Sequence, residues 1–448
     1  MYKLTLIIRY LLKRRITHFA ILAVALCVFI VVVVMTIMTG LVQDFKQKNH
    51  DFVADCVVAT DSLVGFPYYD DFMGILTKTD FVESVSPAVK SYGLLSLRGD
   101  EVRRGVEIIG IDPASQSCTT NFGKTLHYHA DQPAKAFVPP YDPNALGCVL
   151  GIDMALARDL NGKYTYSTQP QRVAITLTCF PLTAKGAPAK VGAGLVSTQH
   201  FYYSDHSESG IAHVDGSVIY IPLEQAQLLC MSGDLKRVNV IHIKFRPHVK
   251  SSQGCNQVAA LWSEFKQQKA DAQDSYLLDT ARVQDWKEYR RAVIAPMEKE
   301  QVLLSFMFIL VGITTVFIVL VVFYMIVSHK KKDIGVLKSL GTSNISIMGL
   351  FSGFAFAVGL LGSWIGVLSA WLFLSQINHI EHWLFRHFGF QLWDRSLYAI
   401  GDIPSRLEFH VLAIIIGCAI VSCLIGALIP GYCAARLRPV ETLHTGPV

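Results

Sequence analysis

Residues 302–346 read VLLSFMFILVGITTVFIVLVVFYMIVSHKKKDIGVLKSLGTSNIS. Positions 302–327 hold no Asp, Glu, Lys or Arg. At about 1.5 Å per residue, a helix of that length exceeds the ~30 Å hydrocarbon core of a bilayer. The run then breaks into HKKKDIGVLKSLGTSN (329–344), with four lysines and a short apolar ladder, before another long apolar run begins at Met348. A core helix of a soluble protein would be shorter, roughly 10–14 residues, and would carry a polar face. The stretch therefore reads as two membrane spans joined by a small basic helix.

Two further runs have the same character, so four spans are expected, at 18–41, 301–327, 347–375 and 409–429. The first follows a basic leader, MYKLTLIIRYLLKRR, but is too long for a signal-peptide core and ends in MTGLVQDF rather than a small-residue cleavage site, so it reads as a retained anchor. The pieces 1–17, 328–345 and 430–448 together hold eleven basic and two acidic residues, in a chain of net charge +5. Four crossings put all three on one side, and the positive-inside tendency makes that side cytoplasmic. Both termini are then expected in the cytoplasm. Residues 42–300 and the loop 376–408 are expected outside, with 328–346 and 430–448 inside.

The chain is 52% hydrophobic and 17% charged, which fits a membrane region joined to a sizeable soluble part. That part, 42–300, reads as a mixed α+β domain. Strands are expected at 56–60, 92–98, 106–111, 173–180, 218–222 and 238–245, where β-branched residues cluster or alternate with polar ones. Helices are expected at 70–78, 153–160, 223–231 and 257–269. Residues 181–216, rich in Gly, Ala, Ser and His, read as a long loop. Residues 279–300 read as an amphipathic helix running into the second span, bent at Pro296. The expected fold class is thus four transmembrane helices plus a large external α+β domain.

Six of the ten cysteines fall in the external part: Cys56, Cys118, Cys148, Cys179, Cys230 and Cys255. An oxidising compartment would permit disulfides among them, yet three sit in strand-like runs where a free cysteine packs as a small hydrophobe. The pairing stays open. His127, His129, His200, His206 and His213 lack metal-ligand spacing and read as solvated loop residues. Gly123-Lys124-Thr125 resembles the end of a phosphate loop, but Cys118 stands where the first glycine belongs. No nucleophile–base pattern stands out, so no catalytic residue, metal or resident cofactor is assigned, and no nucleic-acid partner is expected.

Within the opening stretch, Ile334, Leu337 and Leu340 recur every third residue, Val336 widens the apolar face, Asp333 suits the helix start and Gly341 the stop. Such a helix either lies in the lipid headgroups or is gripped by a cytoplasmic partner. The third span carries Gly349/Gly353 and Gly362/Gly366, two GxxxG pairs, with Gly359 between them. These allow close helix approach, either within the chain or against a partner subunit.

Several segments carry a family resemblance. The run K-x-x-I-G-x-L-K-x-L-G-T-S (331–343) resembles the coupling helix of FtsX/MacB-type permeases, and IPGYCAARLRPVETL (429–443) resembles their tail. RYLLKRR (9–15), MTGLVQDF (38–45), GVEIIGIDP (105–113), VLGIDMALARDL (149–160) and FGFQLWDRSLYAIGDIP (388–404) are similar to segments of lipoprotein-releasing permeases of the LolC/LolE type. The external cysteines and the Ser/His-rich loop are not family features.

The resemblance implies an ABC-transporter permease of the bacterial inner membrane, paired with a second permease subunit as homo- or heterodimer. It implies two copies of a LolD-like cytoplasmic ATPase that holds ATP and Mg. Asp333, Ile334, Val336, Leu337, Lys338, Leu340 and Gly341 would form the coupling helix. The implied substrate is an acylated lipoprotein, passed to a periplasmic carrier by mechanotransmission through a MacB-like external domain of two lobes. Exposing three acyl chains to water, at about 0.8 kcal/mol per methylene and ~45 methylenes, would cost on the order of 35 kcal/mol. The lipid must instead pass between apolar sites, for which Val34, Met38, Val42, Leu303, Phe306 and Leu310 are candidates. A MacB-like exporter and an FtsX-like activator of an external hydrolase are the alternatives. Charge reversal at Lys338 with Leu337→Asp is expected to uncouple hydrolysis from release and leave the fold intact.

Overall fold

The computed structural model describes residues 15–97, 103–157, 164–190, 194–329, 331–388 and 409–436. The leader 1–14, most of the 388–404 motif and the tail from 437 lie outside the described residues. The chain divides into two units, a helical one (15–43, 296–388 and 409–436) and a sheet domain (44–295).

The helical unit is built on long helices: α1 (Arg15–Val53), α6 (Arg291–His329), α8 (Asn344–Phe388) and α9 (Phe409–Arg436), with the short α7 (Lys331–Ser339) between α6 and α8. Each long one holds a stretch apolar and long enough to span a membrane, and these are the four candidate spans among the described residues. The helices outrun the apolar runs that nucleate them. α1 continues through QDFKQKNHDFV, and α8 extends to Phe388, so the segment expected to loop from 376 is helical through 388. Pro296 lies inside α6 without ending the helix.

In the sheet domain the chain leaves α1 through Ala54, whose φ of 70° turns it into strand β1 (Cys56–Thr60). Asp55 fixes this junction by accepting from the Phe245 amide at 2.8 Å and contacting His50 at 3.0 Å. Helix α2 (Tyr69–Leu76), strands β2 (Val82–Leu97) and β3 (Arg103–Ile111), and helix α3 (Pro113–Thr119) follow. Beyond them come β4 (Gly147–Gly151), β5 (Ala174–Cys179), β6 (Ser197–Ser207), β7 (Val218–Pro222), α4 (Leu223–Cys230), β8 (Val240–Phe245), α5 (Ser251–Gln268) and β9 (Ala281–Asp285).

The strands order as β3-β7-β4-β6-β5-β2-β8-β1-β9, and β3 also pairs with β2. Six strands therefore close into a ring, while β2, β8, β1 and β9 form an open sheet. Strand β2 serves both: Val82–Ala88 pairs with β8, and Ala88–Ser96 with β3. Alternate residues of β5, Ile175, Leu177 and Cys179, are buried in one core with Phe201, Ile219 and Ile221. On the open sheet, Phe66, Phe72, Trp262 and Phe265 pack α2 and α5 together with centroids 4.7–5.7 Å apart, Trp262 meeting Phe66 and Phe72 edge to face. The motif GVEIIGIDP forms β3 and the start of α3. Gly110 is required because a methyl there would lie 2.1 Å from Ala226 Cβ of α4, and Asp112 caps α3 by accepting from the Ser115 amide at 2.9 Å.

Three sequence expectations change here. The segment read as a loop, 181–216, contains the eleven-residue strand β6. The helix expected at 279–300 is strand β9, then a short turn of helix at Trp286–Tyr289, and α6 only from Arg291. The histidines are not all solvated. His206 is buried, and His129 contacts the buried Asp205 at 3.1 Å. Asp205 also accepts from the backbone amides of His127, Tyr128 and His129. Burial opposes its charge, yet the His129 and backbone hydrogen bonds hold its carboxyl below the ordinary value.

Candidate functional site

The site begins with α7, which its sequence makes short. Gly341, at φ 86°, stops it, and its amide bonds back to the Lys338 carbonyl at 2.9 Å. Ser343 then caps α8, accepting from the Ser346 amide at 3.3 Å. The apolar residues of α7 do not share one face. Ile334 is buried, at 4% exposure, whereas Val336 and Leu340, four residues apart, are 48% and 78% exposed. A repeat of three drifts around a 3.6-residue helix, so Ile334 and Leu340 end up on different sides. Asp333 and Leu337 lie on α7, with side chains outside the described residues. Ile345, just beyond the turn, is 82% exposed. Among the described residues, Val336, Leu340 and Ile345 are thus left exposed as an apolar knob at the turn between the second and third spans.

Lys338 points elsewhere. Its Nζ donates to the Ala435 carbonyl at 2.6 Å, at the C-terminal end of α9, where unpaired carbonyls carry partial negative charge. Pro430, Gly431, Ala434 and Ala435 form the buried face of that last turn. The small residues of the tail motif PGYCAAR give α9 a face that packs closely. Lys338 therefore has a part in the fold, and charge reversal there does not isolate a coupling role, contrary to the sequence expectation.

The glycines of the third span separate into two groups. A methyl at Gly362 would lie 2.8 Å from Val24 Cβ, and one at Gly366 2.6 Å from the Ala25 carbonyl, so this pair seats α8 directly on α1. At Gly359 a methyl would meet Ile420 and Cys423 of α9 at 3.2–3.3 Å. Gly349 has open space beside it, and Gly353 is half-buried. Phe29 with Phe373 and Phe323 with Phe354 add ring contacts at 5.6 and 5.3 Å.

The lipid-cavity candidates fall into different environments. Val42 is buried, and Val34 and Met38 are half-buried on α1. Leu303, Phe306 and Leu310 are 57–65% exposed on α6. Leu303 and Leu310 continue at seven-residue spacing into the exposed Phe317 and Tyr324, a stripe the sequence reading did not single out because the whole span is apolar. Among the described residues no group of three His, Cys, Asp or Glu could hold a metal ion.

Residues 305–439 match the family described as FtsX-like permease C-terminal, a range that takes in most of α6 and all of α7, α8 and α9. Over these residues the chain is similar to FtsX-like permeases. The permease is 22% identical to the lipoprotein-releasing system transmembrane protein LolC of Xylella fastidiosa (strain 9a5c), over 98% of this chain and 97% of that one. It is 23% identical to LolC of Neisseria meningitidis serogroup B, over 96% and 94%. A solved structure of the periplasmic region of MacB from Actinobacillus actinomycetemcomitans covers 55% of this permease and 94% of its own chain, at 12% identity and TM-score 0.26. The FtsX-like segment, the similarity to LolC proteins and the four candidate spans support an ABC-transporter permease of a bacterial inner membrane.

Proposed function

We propose that this permease extracts acylated lipoproteins from the inner membrane and passes them to a periplasmic carrier, driven by a separate cytoplasmic ATPase dimer that binds ATP and Mg. The termini and α7 face the cytoplasm, the sheet domain faces the periplasm, and a second permease subunit completes the membrane part. The observation that carries the coupling reading is the knob of Val336, Leu340 and Ile345, left exposed at the turn between two spans. Apolar side chains on a helix end, supported from behind by the Lys338–Ala435 hydrogen bond, suit a cleft on a partner that changes shape with nucleotide. The near-full-length match to LolC proteins supports the cargo.

The helices α1 and α6 run on for about 58 Å each, from 39 residues at 1.5 Å per residue, and so extend well past the hydrocarbon core. A push on α7 reaches α6 through a single intervening residue, and α6 carries it toward Arg291, near where the chain of the sheet domain ends. The exposed face of Leu303, Phe306 and Leu310 offers acyl chains an apolar surface, so the lipid leaves the bilayer without crossing water.

Vesicles containing the permease pair, the ATPase and an acylated model protein test this. Val336→Asp with Leu340→Asp is expected to lower ATP-dependent release at least tenfold while the permease still assembles in the membrane. Release at the unaltered rate would remove α7 from the coupling role. An intact system that hydrolyses ATP and releases no acylated protein would remove the cargo reading.

A further inference from the structure

We infer that the sheet domain carries two disulfides in the cell, Cys56–Cys255 and Cys179–Cys230, with Cys118 and Cys148 remaining thiols. The inference rests on the reading above that this domain lies in the periplasm.

Each pair is brought together by backbone placed for other reasons. Cys56 sits on β1 opposite Ile243 and Asp285. Helix α5 is fixed to this place by Ser251, whose hydroxyl donates to the Asp55 carbonyl at 3.0 Å. Cys255 lies one turn further along the same face, with its Sγ 4.0 Å from the carbonyl of Gln284, the neighbour of Asp285. The two thiols are in hydrogen-bond contact. The second pair joins the end of β5 to the end of α4. Here the Leu182 amide donates to the Cys230 carbonyl and the Ser232 amide to the Leu182 carbonyl, both at 3.0 Å, so the segments after Cys179 and around Cys230 are laced together. The Cys179 and Cys230 thiols touch, and Ser91 Oγ lies 3.4 Å from Cys179 Sγ.

Four of six cysteines paired off in this way are more than packing requires, since a lone buried cysteine such as Cys148 already fills its place as a small apolar side chain. In the folded domain the Cys230 and Ser91 hydrogen bonds lower the Cys179 thiol against the opposing effect of burial. One thiolate of the pair attacks the disulfide of a periplasmic dithiol–disulfide oxidoreductase, and one donor sulfur leaves as thiolate. The other cysteine then displaces the second donor sulfur from the mixed disulfide. The pair loses two electrons and two protons, and the donor is reduced to a dithiol. Cys179 and Cys230 are almost fully enclosed, at 1% and 2% exposure, so this bond forms before the core closes. Cys255 is half-buried, and its bond opens first when reductant is added.

The test uses the full-length permease, acid-trapped in cells and alkylated in denaturant without reduction. Of its ten cysteines, six are expected to alkylate at once and four only after dithiothreitol. Digestion without reductant is expected to yield the peptide pairs 56–255 and 179–230, both lost on reduction. Cys255→Ser is expected to free Cys56 alone and leave the other pair intact, which keeps the test sound if Cys179 or Cys230 variants fail to fold. Four reduced cysteines, or crossed pairs, would overturn the proposal. A second arm oxidises the reduced, detergent-purified permease with oxidised glutathione as it refolds from denaturant, so that the enclosed pair is accessible. Linkage there but not in cells would locate the failure in the periplasmic placement, and linkage in neither would locate it in the thiol geometry.

Discussion

At the scale of single residues, Lys338 is the instructive case. In the sequence it is one of four lysines on a basic helix, and nothing distinguishes it as a structural donor. In the structure its ammonium satisfies a carbonyl at the end of α9. Lys338→Glu places an anion against that helix end and is expected to destabilise the helical unit by about 1–2 kcal/mol. A lower melting midpoint in detergent, with Leu340→Asp unchanged beside it, checks the difference. The buried histidines set a second residue-level expectation. Burial first, and then the Lys90 charge, push His242 down to about 3, and burial pushes His206 down to about 4. The unfolded chain takes up these protons below pH ~6.5 and the folded domain does not, so stability is lost as pH falls from there toward 4. At pH 5 this amounts to about 2 kcal/mol for each. Asp215, pushed up to about 6 by burial, acts with the opposite sign and offsets part of the loss. Melting of the sheet domain at pH 7 and pH 5 measures the net slope, and His206→Gln is expected to flatten it.

At the scale of elements, the glycine pair of α8 makes the sharpest prediction. Gly362→Leu puts a branched side chain where even a methyl would clash with Val24, so α1 and α8 are expected to separate. Protease resistance of the membrane-embedded permease should fall, whereas Gly349→Leu, in open space, should leave it unchanged. How much of the structure the sequence showed differs by element, for physical reasons. The spans were legible because a bilayer imposes a length and a composition that few other environments do. Strand β7 was legible to the residue, since VIYIP is a short run rich in β-branched residues and buried from Val218 to Ile221. Strand β6 was not, because STQHFYYSDHS buries Ser204, Asp205 and Ser207 through hydrogen bonds supplied by partners distant in sequence. Strand β9 was hidden by length. Five residues, ARVQD, take strand form because β1 offers an edge, and their own pattern merges into the helix that follows. On α7, the existence and stop of the helix were readable, while the division between Ile334 inside and Leu340 outside needed the packing.

At the scale of the whole molecule, the proposal of force transmission places a demand on the sheet domain, which must not absorb the displacement it receives. Its connectivity answers that demand through β2, whose sixteen residues take part in both the open sheet and the closed ring. Amide exchange followed by mass spectrometry is expected to show the β2 peptide as the slowest in the domain, with β9, at the sheet edge, exchanging first. Equal protection of the two would contradict a shared backbone spine. The consequence is mechanical. Among the described residues the open sheet and the closed ring share the continuous β2 ladder, so one cannot tilt without shearing amide pairs along the other. The domain can swing as a lever but has no elbow at which to fold.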